Sequence, residues 1–394
     1  MQEDFLKYQA QTSPHPLSLE ISHADGSYVY DNSQKKYLDF IAGVSANSLG
    51  HNHPKVKKAI LDQLDKYTHV MVYGEFIQTP QLELTKELAK QLPANLNTTY
   101  VTNSGTEATE GALKLAKRYT GRTEIIACKN AYHGNTQGAM SVCGSEIQNR
   151  PFRPLIPGVR FIGFNNTVQL DQITEKTAAV IMETIQGGAG FIEPTNNYLK
   201  KVQDRCNQVG ALLILDEIQT GIGRTGKFFG FENYNCVPDI VITGKGLGGG
   251  MPIGAFISSN EIMSCLKDKP KLGHITTFGG HPVITAAALA TVKEITSSNL
   301  MTAALEKEAL IRSLLIHPAI KEIRGKGLML AIMVESSELA SQVILNCLDK
   351  GLLLFWLLFE GSAVRITPPL TISTEEIKEG CNLLITTLNE VYND

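Results

Sequence analysis

The sequence has little of several things that would direct a reading early. It holds one tryptophan among 394 residues and no cysteines spaced C-x-x-C. Its seven cysteines, Cys128, Cys143, Cys206, Cys236, Cys265, Cys347 and Cys381, are scattered and odd in number. That pattern argues against a disulfide framework or a zinc site and for free thiols in a reducing compartment. Neither sign of charge dominates. At a formal charge of −3 there is no basic excess to attract nucleic acid and no acidic tract to promote disorder. The longest apolar run, "LLLFWLLF" from Leu352 to Phe359, falls far short of the ~20 residues a membrane helix needs. The opening "MQEDFLKYQAQ" has no apolar stretch behind a basic start, so no secretory signal is read there. Internal repeats and low-complexity tracts are missing too. These absences lead to the expectation of a soluble cytoplasmic protein with no nucleic-acid or membrane partner.

What is present is an ordinary globular mixture, 19% charged and 43% apolar, in a chain long enough for two domains. Continuous apolar runs recur at helical separations: Glu124–Cys128, Ala178–Met182, Ala211–Leu215, Asp239–Thr243 and Gly254–Ser258. Such runs predict strands buried on both faces of a mostly parallel sheet, hence an α/β fold. This large domain is read as residues 50–282. A helix is predicted from Val283. The stretch "GSYVYDNSQKKYLDF" suggests a hairpin around an Asp-Asn turn, and residues 1–49 are placed with 283–394 in a smaller domain.

Polar groups gather where the predicted strands end. Glu183, Asp216 and Lys245 each stand at or just past a carboxyl end, Ser104–Gly105–Thr106 follow "TTYV", and Tyr132 and His133 follow Glu124–Cys128. Ligands of open parallel sheets bind at that edge. Ser104 and Glu107 have capping-box spacing. Gly105 and Thr106 would then offer N–H groups to a phosphate at a helix start, beyond the plain reading of a well-capped helix. "ALLILDEIQTGIGRTG" imitates the acid-bearing strand of a nucleotide hydrolase. Its P-loop is missing, however: Lys245 is followed by Gly246, and Asp239 stands where the first glycine belongs. A lysine in a partly dry pocket has a different use, forming a Schiff base with an aldehyde. Tyr132 can stack on a planar ring or simply pack on the core. His51 and His53 fit a turn before Pro54 better than a metal site, and no metal is expected. Arg365, set among apolar residues in "AVRITPPL", suits bidentate capture of a carboxylate.

Taken in order, these groups resemble the class III pyridoxal-phosphate (PLP) aminotransferases, the acetylornithine, ornithine and 4-aminobutyrate group. The likeness runs through "YVYDNSQKKYLDFIAGVSANSLGHNHP", "DEIQTGIGRTG", "TGKGLGGGMPIGA", "TFGGHPV" and "RITPPL". It implies the PLP-dependent transferase fold of type I and PLP as cofactor. It also implies roles. Lys245 becomes the Schiff-base lysine and proton shuttle, and Asp216 the partner of the pyridine nitrogen. Ile218 and Tyr132 cover the two ring faces, and Gln219 lies near the phenolic oxygen. Ser104, Gly105, Thr106, His133 and Glu183 belong to the cofactor site. Thr277 would reach the phosphate of a neighbouring subunit, which implies a homodimer, and Arg365 would grip the substrate α-carboxylate.

Three positions depart from that pattern. Gly188 replaces the glutamate of "E-P-I-Q-G-E" that masks the arginine when an ω-amine is processed. Asn135 replaces an arginine, and Val44 replaces the ornithine-binding tyrosine. An unmasked Arg365 favours substrates with an α-carboxylate, and Arg150 or Arg153 is considered as a substitute for the cation missing at Asn135. The activity expected is transfer of an amino group from an amino acid to a 2-oxo acid by ping-pong chemistry, with glutamate and 2-oxoglutarate as one pair. The alternatives are another PLP reaction on this fold (aminomutase or decarboxylase) and, least favoured, a non-catalytic relative.

Overall fold

The computed structural model describes residues 1–392. A seven-stranded sheet forms its centre, in the order Thr98–Thr102, Gly254–Ser258, Ile240–Gly244, Leu212–Asp216, Thr177–Glu183, Glu124–Cys128, Val159–Ile162. Gly254–Ser258 runs antiparallel to both neighbours, and the four pairings from Ile240–Gly244 to Val159–Ile162 are parallel. The apolar runs are continuous because alternate residues enter two separate cores. Leu213 and Leu215 join Val180, Met182 and Val241 on one face, while Leu212 and Ile214 join Ala179, Ile181 and Ile242 on the other. The helix Gly105–Thr120 lies against the second face. It comes so close at Gly111 that a Cβ there would stand 2.3 Å from Phe256 Cε1.

Two four-stranded sheets flank this body. One joins Ile21–Asp25, Tyr28–Asp31 and Lys36–Asp39 to Leu352–Leu353, so a strand from the far end of the chain completes an N-terminal sheet. The predicted hairpin is there, but its turn is longer than an Asp-Asn pair. Asp31 Oδ1 accepts from Ser33 N at 2.8 Å and Lys35 N at 3.0 Å, and this side-chain bonding closes a wider loop. The other sheet orders Glu322–Lys326, Met329–Met333, Ala363–Ile366 and Phe355–Trp356. The helix predicted from Val283 spans Pro282–Ser297 and packs on Pro54–Leu64 and Thr79–Lys90. Pro54 opens its helix directly after His53, while His51 Nε2 meets Asp39 Oδ2 at 2.8 Å. Arg224, the arginine of the glycine-rich "GIGRTG" tail, is fully buried. It donates to the carbonyls of Leu328 (3.0 Å) and Pro368 and so ties the central loop to the C-terminal segment. No described helix is long and apolar enough to cross a membrane.

Candidate active site

A cavity of about 490 Å³ opens at the carboxyl edge of the central sheet. Sheet register alone places two of its acids. Glu183 and Asp216 end adjacent parallel strands and are directly paired across the ladder, and Lys245 follows the next strand. Gly105, Thr106, Tyr132, His133, Ile218 and Gln219 join them around the cavity, as do Val44, Asn135, Gly188 and Arg365. The residues singled out from five strands therefore meet at one edge.

Asp216 is buried and held from two sides. Its Oδ2 lies 2.7 Å from His133 Nδ1, and its Oδ1 accepts from Ile218 N at 2.9 Å. Glu183 braces the backbone instead of facing outward. It accepts from Gly187 N at 3.0 Å and Tyr132 N at 3.3 Å, and burial above all pushes its carboxyl up to about 7. Burial pushes the Lys245 ammonium below its ordinary value. Arg365 adds to that push, and Asp216 and Glu183 oppose it. Lys245 also has φ of +42°, unusual for a residue with a side chain and typical of sites where function fixes the backbone.

Ser104 caps its helix by accepting from Glu107 N at 3.3 Å, but the box is half made. Glu107 Oε2 accepts from Asn103 N at 2.7 Å, leaving the Ser104 amide out of the reciprocal bond. Ser104 itself stays outside the cavity lining, whereas Gly105 and Thr106 reach it. Their N–H groups lead the helix, where no intrahelical acceptor exists. A Cβ at Gly105 would stand 2.7 Å from Ile218 Cδ1, so a larger residue here would displace the Ile218 side chain that borders the cavity. Thr106 Oγ1 is shared with Thr136 Oγ1 at 2.9 Å, and Gln219 Nε2 donates to Ser45 Oγ at 3.3 Å. An anion cradle, a buried acid facing the cavity and a desolvated amine fit a flat phosphorylated aldehyde. PLP has those groups.

Arg365 is buried, and its Nε and Nη1 have no partner. Its guanidinium lies 5.7 Å from the centre of the Phe191 ring, and burial alone pushes it down to about 10. The place of a side chain at Gly188 is already taken. A Cβ there would stand 2.9 Å from the Phe359 ring, and Phe359 N donates to Gly188 O at 2.9 Å.

One expectation finds no support in the cavity. Arg150 and Arg153 do not line it; Arg153 pairs with Glu146 at the surface. Thr277, expected to serve a neighbouring subunit, is exposed and lies outside the cavity of its own chain. Conversely, Phe355, Trp356 and Leu358 form part of its wall. In the sequence they belong to a run noted only as too short for a membrane. Its nearness to "RITPPL" was the available signal: Phe355 pairs across the sheet with Arg365.

The fold and cavity define a PLP-dependent enzyme of fold type I. The chain belongs to the class III aminotransferases: the model of that family matches residues 8–388. It is 38% identical over 380 residues to an acetylornithine aminotransferase of Caldanaerobacter subterraneus subsp. tengcongensis, covering 93% of this chain and 94% of that one. A putrescine aminotransferase of Pectobacterium atrosepticum is 40% identical over 363 residues, 88% of this chain and 77% of that one. Among solved structures, the ornithine aminotransferase of Toxoplasma gondii ME49 superposes with a TM-score of 0.92 at 30% identity, covering 100% and 96% of the two chains. The protein is thus a transaminase with PLP as its cofactor.

Proposed function

We propose that the enzyme transfers the amino group of α-amino acids to 2-oxo acids by a two-stage ping-pong reaction. Glutamate and 2-oxoglutarate form one of its substrate pairs. The observation that carries this reading is the state of Arg365: buried, two donors unpartnered, and no room at Gly188 for a masking carboxylate. An unpaired buried cation costs several kcal/mol, which a substrate carboxylate offsets with bidentate hydrogen bonds. Such a site selects substrates that present a carboxylate beside the reacting carbon.

In the proposed mechanism PLP, when bound, supplies a conjugated ring that accepts electron density from the substrate Cα. Asp216, kept in position by His133, holds a negative charge at the cavity floor and stabilises a protonated ring nitrogen. Ile218 and Tyr132 confine the ring plane. Gly105 and Thr106 would hold the phosphate, Ser104 orders the helix start, and Gln219 would serve the phenolic oxygen. Lys245 Nζ takes the proton from the substrate Cα, and its lowered affinity for protons leaves more free amine at neutral pH. Arg365 turns that Cα–H toward Lys245 by fixing the carboxylate.

The working unit is read as a cytoplasmic homodimer in which Thr277 serves the neighbouring site, with residues 1–49 and 283–394 as the small domain. Exposed Phe76, Ile77, Ile275 and Phe278 near Thr277 support a buried interface there. The test is the visible spectrum of the yellow holoenzyme mixed with single amines. Bleaching by glutamate, with 4-aminobutyrate and ornithine much slower, is expected, as is amine transfer to added 2-oxo acid. Loss of carbon dioxide or internal amine migration without transfer would instead identify a decarboxylase or an aminomutase.

A further inference from the structure

The segment from Phe355 to Phe359 is clamped onto the site from the C-terminal sheet. Phe355 is the cross-strand neighbour of Arg365, and Trp356 Nε1 donates to Ser341 Oγ at 3.0 Å. Phe359 N is bonded to Gly188 O, and its ring fills the space beside that glycine. Past Phe359 lies a second chamber of about 260 Å³, which shares Tyr132 and Asn135 with the main cavity and has Phe359 in its wall. The rest of its wall combines the apolar Met140 and Phe152 with the uncharged polar Gln137, Ser145, Gln148 and Asn149, and none of the residues lining it is Lys, Arg, His, Asp or Glu. Cys143 also lines it, but burial pushes that thiol up to about 12, so it is neutral at physiological pH.

We propose that the second substrate pair of this enzyme is an α-amino acid and 2-oxo acid with a bulky uncharged side chain, seated between Asn135 and Phe359 and extending into this chamber. The inference rests on the reading of Arg365 as the α-carboxylate clamp. With the carboxylate at Arg365, the substrate side chain is directed away from it, toward Tyr132 and Asn135. A distal carboxylate placed there meets an amide in place of a cation, and a distal ammonium meets no carboxylate. Either ion would be desolvated without an oppositely charged partner. An aromatic or long aliphatic side chain gains from covering the same walls. Glutamate remains a donor, its distal carboxylate held only by the Asn135 amide and water.

The experiment is single-turnover bleaching of the holoenzyme by L-phenylalanine, L-leucine, L-methionine, L-glutamate and L-ornithine, repeated with Asn135→Arg. At least one uncharged amino acid is expected to exceed glutamate by about tenfold or more in the second-order rate, the size of discrimination a few buried methylenes provide. Asn135→Arg should shift the ratio toward glutamate by a similar factor, and Phe359→Leu should weaken phenylalanine more than glutamate. If glutamate matches or beats every uncharged amino acid in the parent enzyme, the proposal is overturned while the α-amino acid reading stands; if ornithine does, both are overturned. If no α-amino acid bleaches an enzyme shown by its colour to hold PLP, the Arg365 reading fails and this proposal with it.

Discussion

His133 Nδ1 lies 2.7 Å from Asp216 Oδ2, and the other ring nitrogen, Nε2, is buried with no partner. With a carboxylate oxygen as the acceptor, Nδ1 supplies the proton of this bond. Replacing the ring by phenylalanine removes that donor and disfavours the charged form of Asp216. His133→Phe should lower kcat by roughly tenfold to a hundredfold. Asp216→Asn should cost on the order of a thousandfold at all pH values. An unchanged kcat in His133→Phe would show that the ring only fills space.

Lys245 separates catalysis from stability. Lys245→Met should abolish turnover, because no other amine lines the cavity among the described residues. The apo form of the variant should also be more stable than apo parent at pH 7. The sign follows from the direction of the shift. A lysine whose folded pKa is depressed imposes its full penalty below that folded value, and the penalty vanishes above the unfolded value near 10.4. The difference in Tm between the two apo proteins should therefore shrink as pH rises toward 10.

The central sheet and its ligand edge were legible because they depend on short-range pattern. Apolar runs specify strands buried on both faces, and polar residues at their ends specify the edge. Asp216, Lys245 and Tyr132 needed only strand ends to be placed. The Phe355–Phe359 wall was not legible, because its position depends on a cross-strand pairing and a bond to Gly188, 171 residues away (359 − 188). The half-made capping box shows the same limit. Spacing suggested the reciprocal bond, but Asn103 offers Glu107 both a backbone and a side-chain donor and takes it. The loss of Gly188's masking role was visible as a substitution, whereas the ring filling that space was visible only in three dimensions.

Glu217 gives a pH dependence unconnected with catalysis. It is fully buried and accepts from Gly230 N at 2.6 Å, Phe231 N at 2.8 Å, and the Thr184 and Thr220 hydroxyls, yet burial pushes it up to about 7. With the folded pKa above the unfolded one, its favourable contribution is complete below about 4.3 and lost as pH rises through about 7. Thermal scans should thus show a component of Tm falling between those limits. Glu217→Gln should flatten it, at a baseline cost of about 1–3 kcal/mol because an amide N–H₂ must face existing donors.

Thr277 is exposed on its own chain and stands apart from its own cavity. If it serves the partner's phosphate, Thr277→Val should weaken PLP binding by roughly tenfold while leaving the monomer's fold and Tm in the apo form unchanged. Equilibrium dialysis against PLP, paired with the sedimentation profile, checks both halves. Unchanged PLP affinity in a dimer would remove Thr277 from the site.

The last prediction concerns restoring what Gly188 lacks. Gly188→Glu alone should overpack, since its Cβ would stand 2.9 Å from the Phe359 ring and the segment is pinned there by the Phe359 N–Gly188 O bond. A stability loss of about 1–3 kcal/mol is expected. Combining it with Phe359→Gly opens the space and gives Arg365 a carboxylate to pair with. Pairing masks the clamp, so glutamate kcat/KM should fall about tenfold or more, while 4-aminobutyrate and ornithine, which present an ω-amine, should gain. Parallel loss of all three substrates in a stably folded double variant would mean that Arg365 acts through packing and not through its charge.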